Sequence, residues 1–371
     1  MARYLARWRL LGDRDKSDAR RCLNQHPASV ELTRADQEAR PALDAPVRLP
    51  AQWGPVEAVI VTWPVLYPPL WPLYAQMVEA ITPVAQVQIC VPRPTWASGI
   101  RFYLEPRDVD LSRVRFLYLP TDDIWVRDYG PFVGLDSGGK RVVVHTRYNP
   151  LPNYPQAQDD AMPARWAAHM DIPARALPLY TEGGNLWSDG AGTLLMSSAF
   201  QRRDPSLTHD DLLRHLHEVF DFDKLIIVPH LVREETGHVD LVVKLADAQT
   251  ALVTAPGASI NSPNLAQAAY ILRHTTNARG QPYHVRELPA LPPYYNWGVY
   301  PIWRSYTNAL TVNGRVLVPV YGEQADEAAL AVYSDILPDY KIIPIDCRIV
   351  INGGGAVHCL TKEVPCTTSP H

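Results

Sequence analysis

The sequence predicts an α/β fold in which repeated units close into a ring, and three observations carry that reading. Strand-like and helix-like segments alternate from about residue 55 onward. The order hairpin, helix, strand then recurs, at ~50–70 residues per copy. A short polar, turn-rich motif precedes each hairpin. The alternation alone also fits an ordinary open α/β sheet, but an array that closes on itself suggests a ring, as in propellers.

The elements follow in chain order. Residues 57–63 (EAVIVTW) are apolar and β-branched, a buried strand; 72–81 have helical spacing; 87–92 (VQICVP) read as a strand. Residues 132–135 and 141–148 flank Asp136-Ser137-Gly138-Gly139-Lys140, a hairpin signal, and a helix (160–170) and a strand (174–179) follow. The second copy is 186–188 and 193–199 around Asp189-Gly190, a helix over 208–220 opened by a Thr-x-x-Asp cap, and a strand over 224–229. The third is strands 239–245 and 250–255, helix 262–274 and strand 282–288. The fourth has the clearest hairpin, 309–312 and 315–320 around Asn313-Gly314, then helix 325–336 and strand 340–345. A lone strand over 357–361 completes a fifth unit with the N-terminal strand–helix–strand. Residues 1–50 are expected to be an N-terminal extension and 51–371 a single domain.

Composition narrows the function classes. Lys and Arg number 35 against 39 Asp and Glu, a net charge of −4 that suggests neither nucleic acid nor an acidic membrane surface as partner. The 35 prolines are roughly twice the usual share, yet 10 Trp and 18 Tyr argue for punctuated strands and turns rather than disorder. Cys22, Cys90, Cys347, Cys359 and Cys366 contain no CxxC pair, which argues against a disulfide framework or a zinc ribbon and leaves room for one reactive thiol. No apolar run reaches membrane-helix length, and the basic N-terminus lacks a long apolar stretch, so a cytoplasmic setting is expected. A homo-oligomer is compatible with all of this.

The polar motifs are DDIWVRDYGP (122–131), EGGN (182–185), TGHVD (236–240), SYTN (305–308) and NGGGAVHC (352–359). Equivalent positions in a ring lie around one axis, so Asp128, Glu182, His238, Asp240, Asn308 and Cys359 should converge on one pocket. Each has a plainer reading: a core cysteine, a satisfied histidine, carboxylates paired with arginines such as Arg127, glycines in ordinary turns. The three glycines before Cys359 allow close backbone approach, and His238 and Asp240 fall at i and i+2, on one face of the expected strand. Three carboxylates could bind a metal, but zinc sites prefer closer Cys/His spacing. A carboxylate-lined cleft favours a cation, and a planar guanidinium matches carboxylates two-pronged. A thiolate beside it could attack the guanidinium carbon, with histidine moving protons.

With these motifs in this order, the chain resembles the agmatine deiminase / bacterial-type peptidylarginine deiminase family of the guanidine-modifying (pentein, α/β-propeller) superfamily. The resemblance spans about residues 50–366 through WxRDxGP, EGGN, GHxD and GGGxxHC. It implies five pseudo-symmetric ββαβ units around a central site. By the same resemblance Cys359 is the nucleophile, His238 the general acid/base, Glu182 its orienting partner, and Asp128 and Asp240 the guanidinium clamps. Trp125 is expected to stack along the substrate's stem, with Asn308, Arg127, Asn185 and Gly355 as further substrate-binding positions. The implied reaction is cofactor-independent and needs no metal. It passes through an amidino-cysteine and releases ammonia and a ureido product.

The substrate within the class follows from smaller differences. RDYGP and TGHVDLVVKL lean toward the peptidylarginine side. Secreted peptidylarginine deiminases, however, follow their Tyr-Asn with an arginine pair that holds a substrate carboxylate, whereas this chain reads Tyr148-Asn149-Pro150-Leu151-Pro152. That favours a small guanidine without a carboxylate, agmatine first, over peptidyl- or free arginine. An amidinotransferase and a non-catalytic binding protein are the readings from other classes; loss of Cys, His or carboxylates would mark the latter, and all are present.

Overall fold

The computed structural model describes residues 45–148, 155–296 and 300–367. Most of the expected N-terminal extension, Cys22, and the Asn149–Pro152 stretch lie outside the described residues. The fold is mixed α/β. Strand β1 (Val56–Thr62), helix α1 (Trp71–Ile81), β2 (Gln86–Val91), α2 (Pro94–Leu104) and β3 (Val114–Tyr118) open the chain. A four-residue helix α3 (Val126–Tyr129) then leads into β4 (Phe132–Leu135), β5 (Arg141–Arg147), α4 (Ala157–His169) and β6 (Ala174–Tyr180). Next come β7 (Trp187–Ser188), β8 (Thr193–Ser197), the short α5 (Ala199–Arg203), α6 (His209–Val219) and β9 (Lys224–Val228). They are followed by β10 (Val243–Leu245), β11 (Thr250–Thr254), α7 (Ser262–Arg273) and β12 (His284–Leu288). A small hairpin, β13 (Tyr294–Asn296) and β14 (Tyr300–Ile302), precedes β15 (Leu310–Val312), β16 (Arg315–Val320), α8 (Ala325–Ile336), β17 (Lys341–Asp346) and β18 (Lys362–Pro365).

Four sheets share one pattern: an antiparallel pair followed by a parallel one, in the orders β4-β5-β6, β7-β8-β9, β10-β11-β12 and β15-β16-β17. The physical reason is loop length. A hairpin can join antiparallel strands through a few residues, whereas a parallel return needs a crossover helix. A fifth sheet, β18-β1-β2-β3, joins the two ends of the described chain: β18 pairs antiparallel with β1, with Ile60 opposite Lys362. Its core also crosses that join, since Val59, Val61 and Ile89 cluster with Leu310, Leu317, Val357 and Cys359.

Two expectations are corrected here. The closing strand is 362–365 rather than 357–361, because 357–361 is taken up in turns, with Leu360 N–H donating to Ala356 O and Val357 O. The third hairpin starts at Val243, not at residue 239, since 239–241 form a 3₁₀ turn with Leu241 N–H on His238 O. Helix α2, strand β3 and the β13–β14 hairpin were not anticipated. Pro94 at the first turn signals α2, but Thr95, Ser98 and Gly99 weaken its pattern.

Candidate active site

The polar motifs sit at chain reversals just ahead of the hairpins. WVRD forms the short α3, EGGN a 3₁₀ turn before β7, GHVD the 3₁₀ turn before β10, and AVHC the turns before β18. At such reversals the backbone is not committed to a ladder, so side chains and amides can face a common point.

They meet around Cys359. Its Sγ receives a hydrogen bond from Asn308 Nδ2 at 3.1 Å and lies 3.7 Å from Asp240 Oδ2. The Asn308 carbonyl oxygen accepts from the backbone N–H groups of Ala356 (3.1 Å) and Cys359 (3.3 Å), so one side chain fixes both the turn and the thiol. His238 bridges two carboxylates: Nε2 is hydrogen-bonded to Glu182 Oε2, and Nδ1 is 3.4 Å from Asp128 Oδ1. That Asp128 oxygen also accepts from Gly184 N–H at 3.2 Å. All of these side chains are buried.

The glycines are required by proximity. A Cβ on Gly184 would stand 2.5 Å from His238 Nδ1 and 2.7 Å from Asp128 Oδ1. One on Gly355 would stand 2.6 Å from the Trp125 ring and 2.8 Å from Cys359 Cβ. Trp125 thus packs on the glycine loop as a wall beside the thiol.

Two expected substrate contacts have other partners. The Arg127 guanidinium is held two-pronged by Glu363 (3.1 and 2.5 Å) and donates from Nε to His358 O. Arg127 N–H also donates to Cys359 O, so this residue ties α3 to the cysteine turn. Asn185 Oδ1 accepts from Ser197 N–H and Val239 N–H, which anchors the GHVD turn to the end of β8. Both residues build the site from behind. The expectation that His238 and Asp240 share a strand face is also corrected: the 3₁₀ turn sends His238 toward Glu182 and Asp240 toward Cys359 and His358.

Electrostatics follow from burial and crowding. Burial raises the Asp128 carboxyl to about 6 against the pull of His238, and raises Asp240 to about 7. Burial works against a charged His238, but Asp128 and Glu182 outweigh it and lift the ring to about 9. Burial, then Asp240 and Asp128, push the Cys359 thiol well above its ordinary range. One imidazolium thus stands against three carboxylates, and the pocket is short of positive charge. A cationic guest beside Asp128 and Asp240 would relieve the carboxylates and favour the thiolate together.

Sequence reasoning passed over His358, although it stands inside GGGAVHC. Its Nδ1 is 2.6 Å from Asp240 Oδ2 and its ring stacks on Trp187 at 4.6 Å. Of the other described cysteines, Cys90 and Cys347 are buried in apolar clusters and Cys366 is half-buried. No helix among the described residues is long and apolar enough to cross a membrane.

The chain is similar to known proteins over most of its length. The family model for Porphyromonas-type peptidyl-arginine deiminase matches residues 48–365. The agmatine deiminase of Pseudomonas putida is 27% identical over 355 residues, covering 85% of this chain and 95% of its own. That of Stutzerimonas stutzeri is 28% identical over 363 residues, with the same two shares. The structure of the agmatine deiminase of Enterococcus faecalis superposes with a TM-score of 0.76 at 24% identity, covering 87% of this chain and 96% of that one, and so shares its fold. With most of its length matched by one family model, this chain belongs to the Porphyromonas-type peptidyl-arginine deiminase family.

Proposed function

We propose that the protein is a hydrolase of C–N bonds in linear amidines that removes ammonia from a small guanidine, agmatine being the first candidate and N-carbamoylputrescine its product. One observation carries this reading: a buried thiol, an imidazole between two carboxylates and a third carboxylate, drawn from four separate motifs, meet in one place. The related agmatine deiminases support the substrate class.

In this reading the guanidinium lies between Asp128 and Asp240 with its stem along Trp125. Its charge lowers the thiol pKa, so binding and activation of Cys359 are coupled. Sγ adds to the guanidinium carbon. His238, kept protonated by Asp128 and Glu182, gives a proton to the departing nitrogen; ammonia leaves and an amidino-thioether remains. The histidine then takes a proton from water, which adds to the same carbon. The C–S bond breaks, the thiol is restored and the ureido product departs. Asn308 holds the sulfur throughout. These steps ask for no cofactor or metal, and a free thiol nucleophile suits a reducing, cytoplasmic compartment. The same reading takes the five sheets as units of one closed ring around this site, a domain that begins before residue 51, since Val47 N–H donates to Val219 O, Arg48 N–H donates to Leu135 O, and Val47 and Leu49 are buried in the core.

Peptidylarginine is the second reading, favoured by the family description. Against it, residues 149–152 carry no arginine to hold a carboxylate. Ammonia release should be measured with agmatine, arginine, a peptide with C-terminal arginine and simple guanidines. Turnover of agmatine above the others is expected. Preference for the peptide would move the assignment to the second reading, and no ammonia from any of them would overturn both. Product analysis in the presence of added amines separates hydrolysis from amidine transfer.

A further inference from the structure

Behind Asp240 lies a group that the steps above do not use. His358 is buried, its Nδ1 is 2.6 Å from Asp240 Oδ2, and its Nε2 is buried without a hydrogen-bond partner. Asp240 Oδ1 is likewise buried and without a partner. The ring lies flat on Trp187, with 4.6 Å between centroids and 24° between planes, and Trp187 is itself fixed by its indole N–H on Val243 O. Lys244 Nζ packs on the other partner of this stack, 4.9 Å from the Trp187 ring.

We infer that His358 is a positioning residue for the guanidine site: its Nδ1–H holds Asp240 Oδ2, so that the other oxygen, Oδ1, is left free for the substrate's N–H groups. The inference rests on the deiminase reading and deepens it. A carboxylate with two equivalent oxygens can rotate, and a short, fixed donor on one of them selects which oxygen receives the guest; His358 Nδ1 at 2.6 Å is the closer of the two groups on Oδ2, the Cys359 thiol being at 3.7 Å. The tautomer follows from the surroundings. Burial, with Arg127, Lys244 and Lys362 nearby, disfavours a second proton on the ring. With one proton at Nδ1, the orphaned Nε2 is a lone pair rather than an unpaired N–H. The Trp187 stack stops the ring from turning away.

Two variants separate positioning from packing. His358→Asn places an amide donor near Nδ1 but gives up the stack on Trp187. His358→Phe keeps the stack and deletes the donor. If His358 positions Asp240, His358→Phe should raise KM for agmatine about tenfold or more, because a buried carboxylate loses its donor. His358→Asn should stay within a few-fold of wild type in KM. Packing alone would give the reverse order, and equal losses or no loss in folded variants would also overturn the inference. Circular dichroism and thermal melting establish that each variant is folded. If His358→Phe does not fold, the folded His358→Asn protein decides: a near-native KM supports positioning, and a large rise overturns it. Wild-type protein that releases ammonia from no guanidine would overturn the deiminase reading itself, and this inference with it, so the two failures are distinguishable.

Discussion

At Cys359 the surroundings oppose ionisation, since burial and the two nearby aspartates all favour the neutral thiol. Reactivity of this cysteine should therefore depend on an occupied site. Cys359→Ser should abolish turnover while guanidine binding survives, because a hydroxyl ionises far less readily than a thiol. Mass spectrometry of quenched wild-type protein should find the amidine adduct on Cys359; an adduct on Cys347 or Cys366 would contradict the assignment. Asp128→Asn and Asp240→Asn should each lower kcat/KM for agmatine by ~10²-fold, since breaking a buried charged hydrogen bond costs about 2–5 kcal/mol. Glu182→Gln acts through His238 and should lower kcat more than it raises KM. The pocket also sets a pH dependence. A histidine lifted from 6.5 to about 9 contributes stability that is complete below its ordinary value and is lost as pH rises through about 9. Carboxyls lifted from 3.8, to about 6 for Asp128 and about 7 for Asp240, cost stability increasingly as pH climbs through that window. Both run in one direction, so the pocket's contribution to Tm should fall from acid to alkaline pH. Agmatine added to Cys359→Ser should raise Tm more at about pH 8.5 than at about pH 6, because the carboxylates then lack compensation most. An equal rise at both values would argue against a carboxylate clamp.

Single elements hold this pocket by specific ties. The turn between β15 and β16 has positive φ at Asn313 (41°) and Gly314 (78°), the geometry that Asn-Gly adopts readily. Asn313 does more than turn the chain. Its Oδ1 accepts from Val56 N–H and its Nδ2 donates to Val56 O and Val84 O, so the hairpin is bonded to β1 and to the loop after α1. Asn313→Gly keeps the turn and removes these bonds. Unfolding in urea should show a loss of about 2–3 kcal/mol at ~1 kcal/mol net per bond, with little change in KM. A loss below about 0.5 kcal/mol would mean that water replaces the bonds freely. On α6 the capping box between Thr208 and Asp211 was legible in the sequence, since the pattern is local. The β13–β14 hairpin was not, because prolines and aromatics crowd 290–303 and its two strands are only three residues each.

For the whole molecule, the join between β18 and β1 matters most. Four residues close the fifth sheet, and one of them, Glu363, also holds Arg127 behind the cysteine turn. Truncation after Thr361 retains every residue of the site and removes the join. Such protein should be insoluble, or soluble without activity, because β1 then exposes an unpaired edge and the buried Arg127 loses its partner. Ammonia release and size-exclusion chromatography on the truncated chain check this. Soluble, active protein would mean that the site does not need the pairing of β18 with β1.

Much of this molecule was readable from the order of its residues, for a local reason. Hairpin turns, helix periodicity and caps depend on neighbours a few positions apart, so the order of strands and helices and the positions of the polar motifs could be read directly. The recurrence of a polar motif before each hairpin pointed to Asp128, Glu182, His238, Asp240 and Cys359 as one constellation. What each of them touches was decided elsewhere. The 3₁₀ turn at 239–241 sends His238 and Asp240 to different partners, Arg127 and Asn185 turn away to brace the backbone, and His358 takes up Asp240. These outcomes depend on hydrogen bonds between residues as much as 236 positions apart, as between Arg127 and Glu363. A buried polar group must find its partner wherever the packed chain provides one. No spacing along the sequence records that choice.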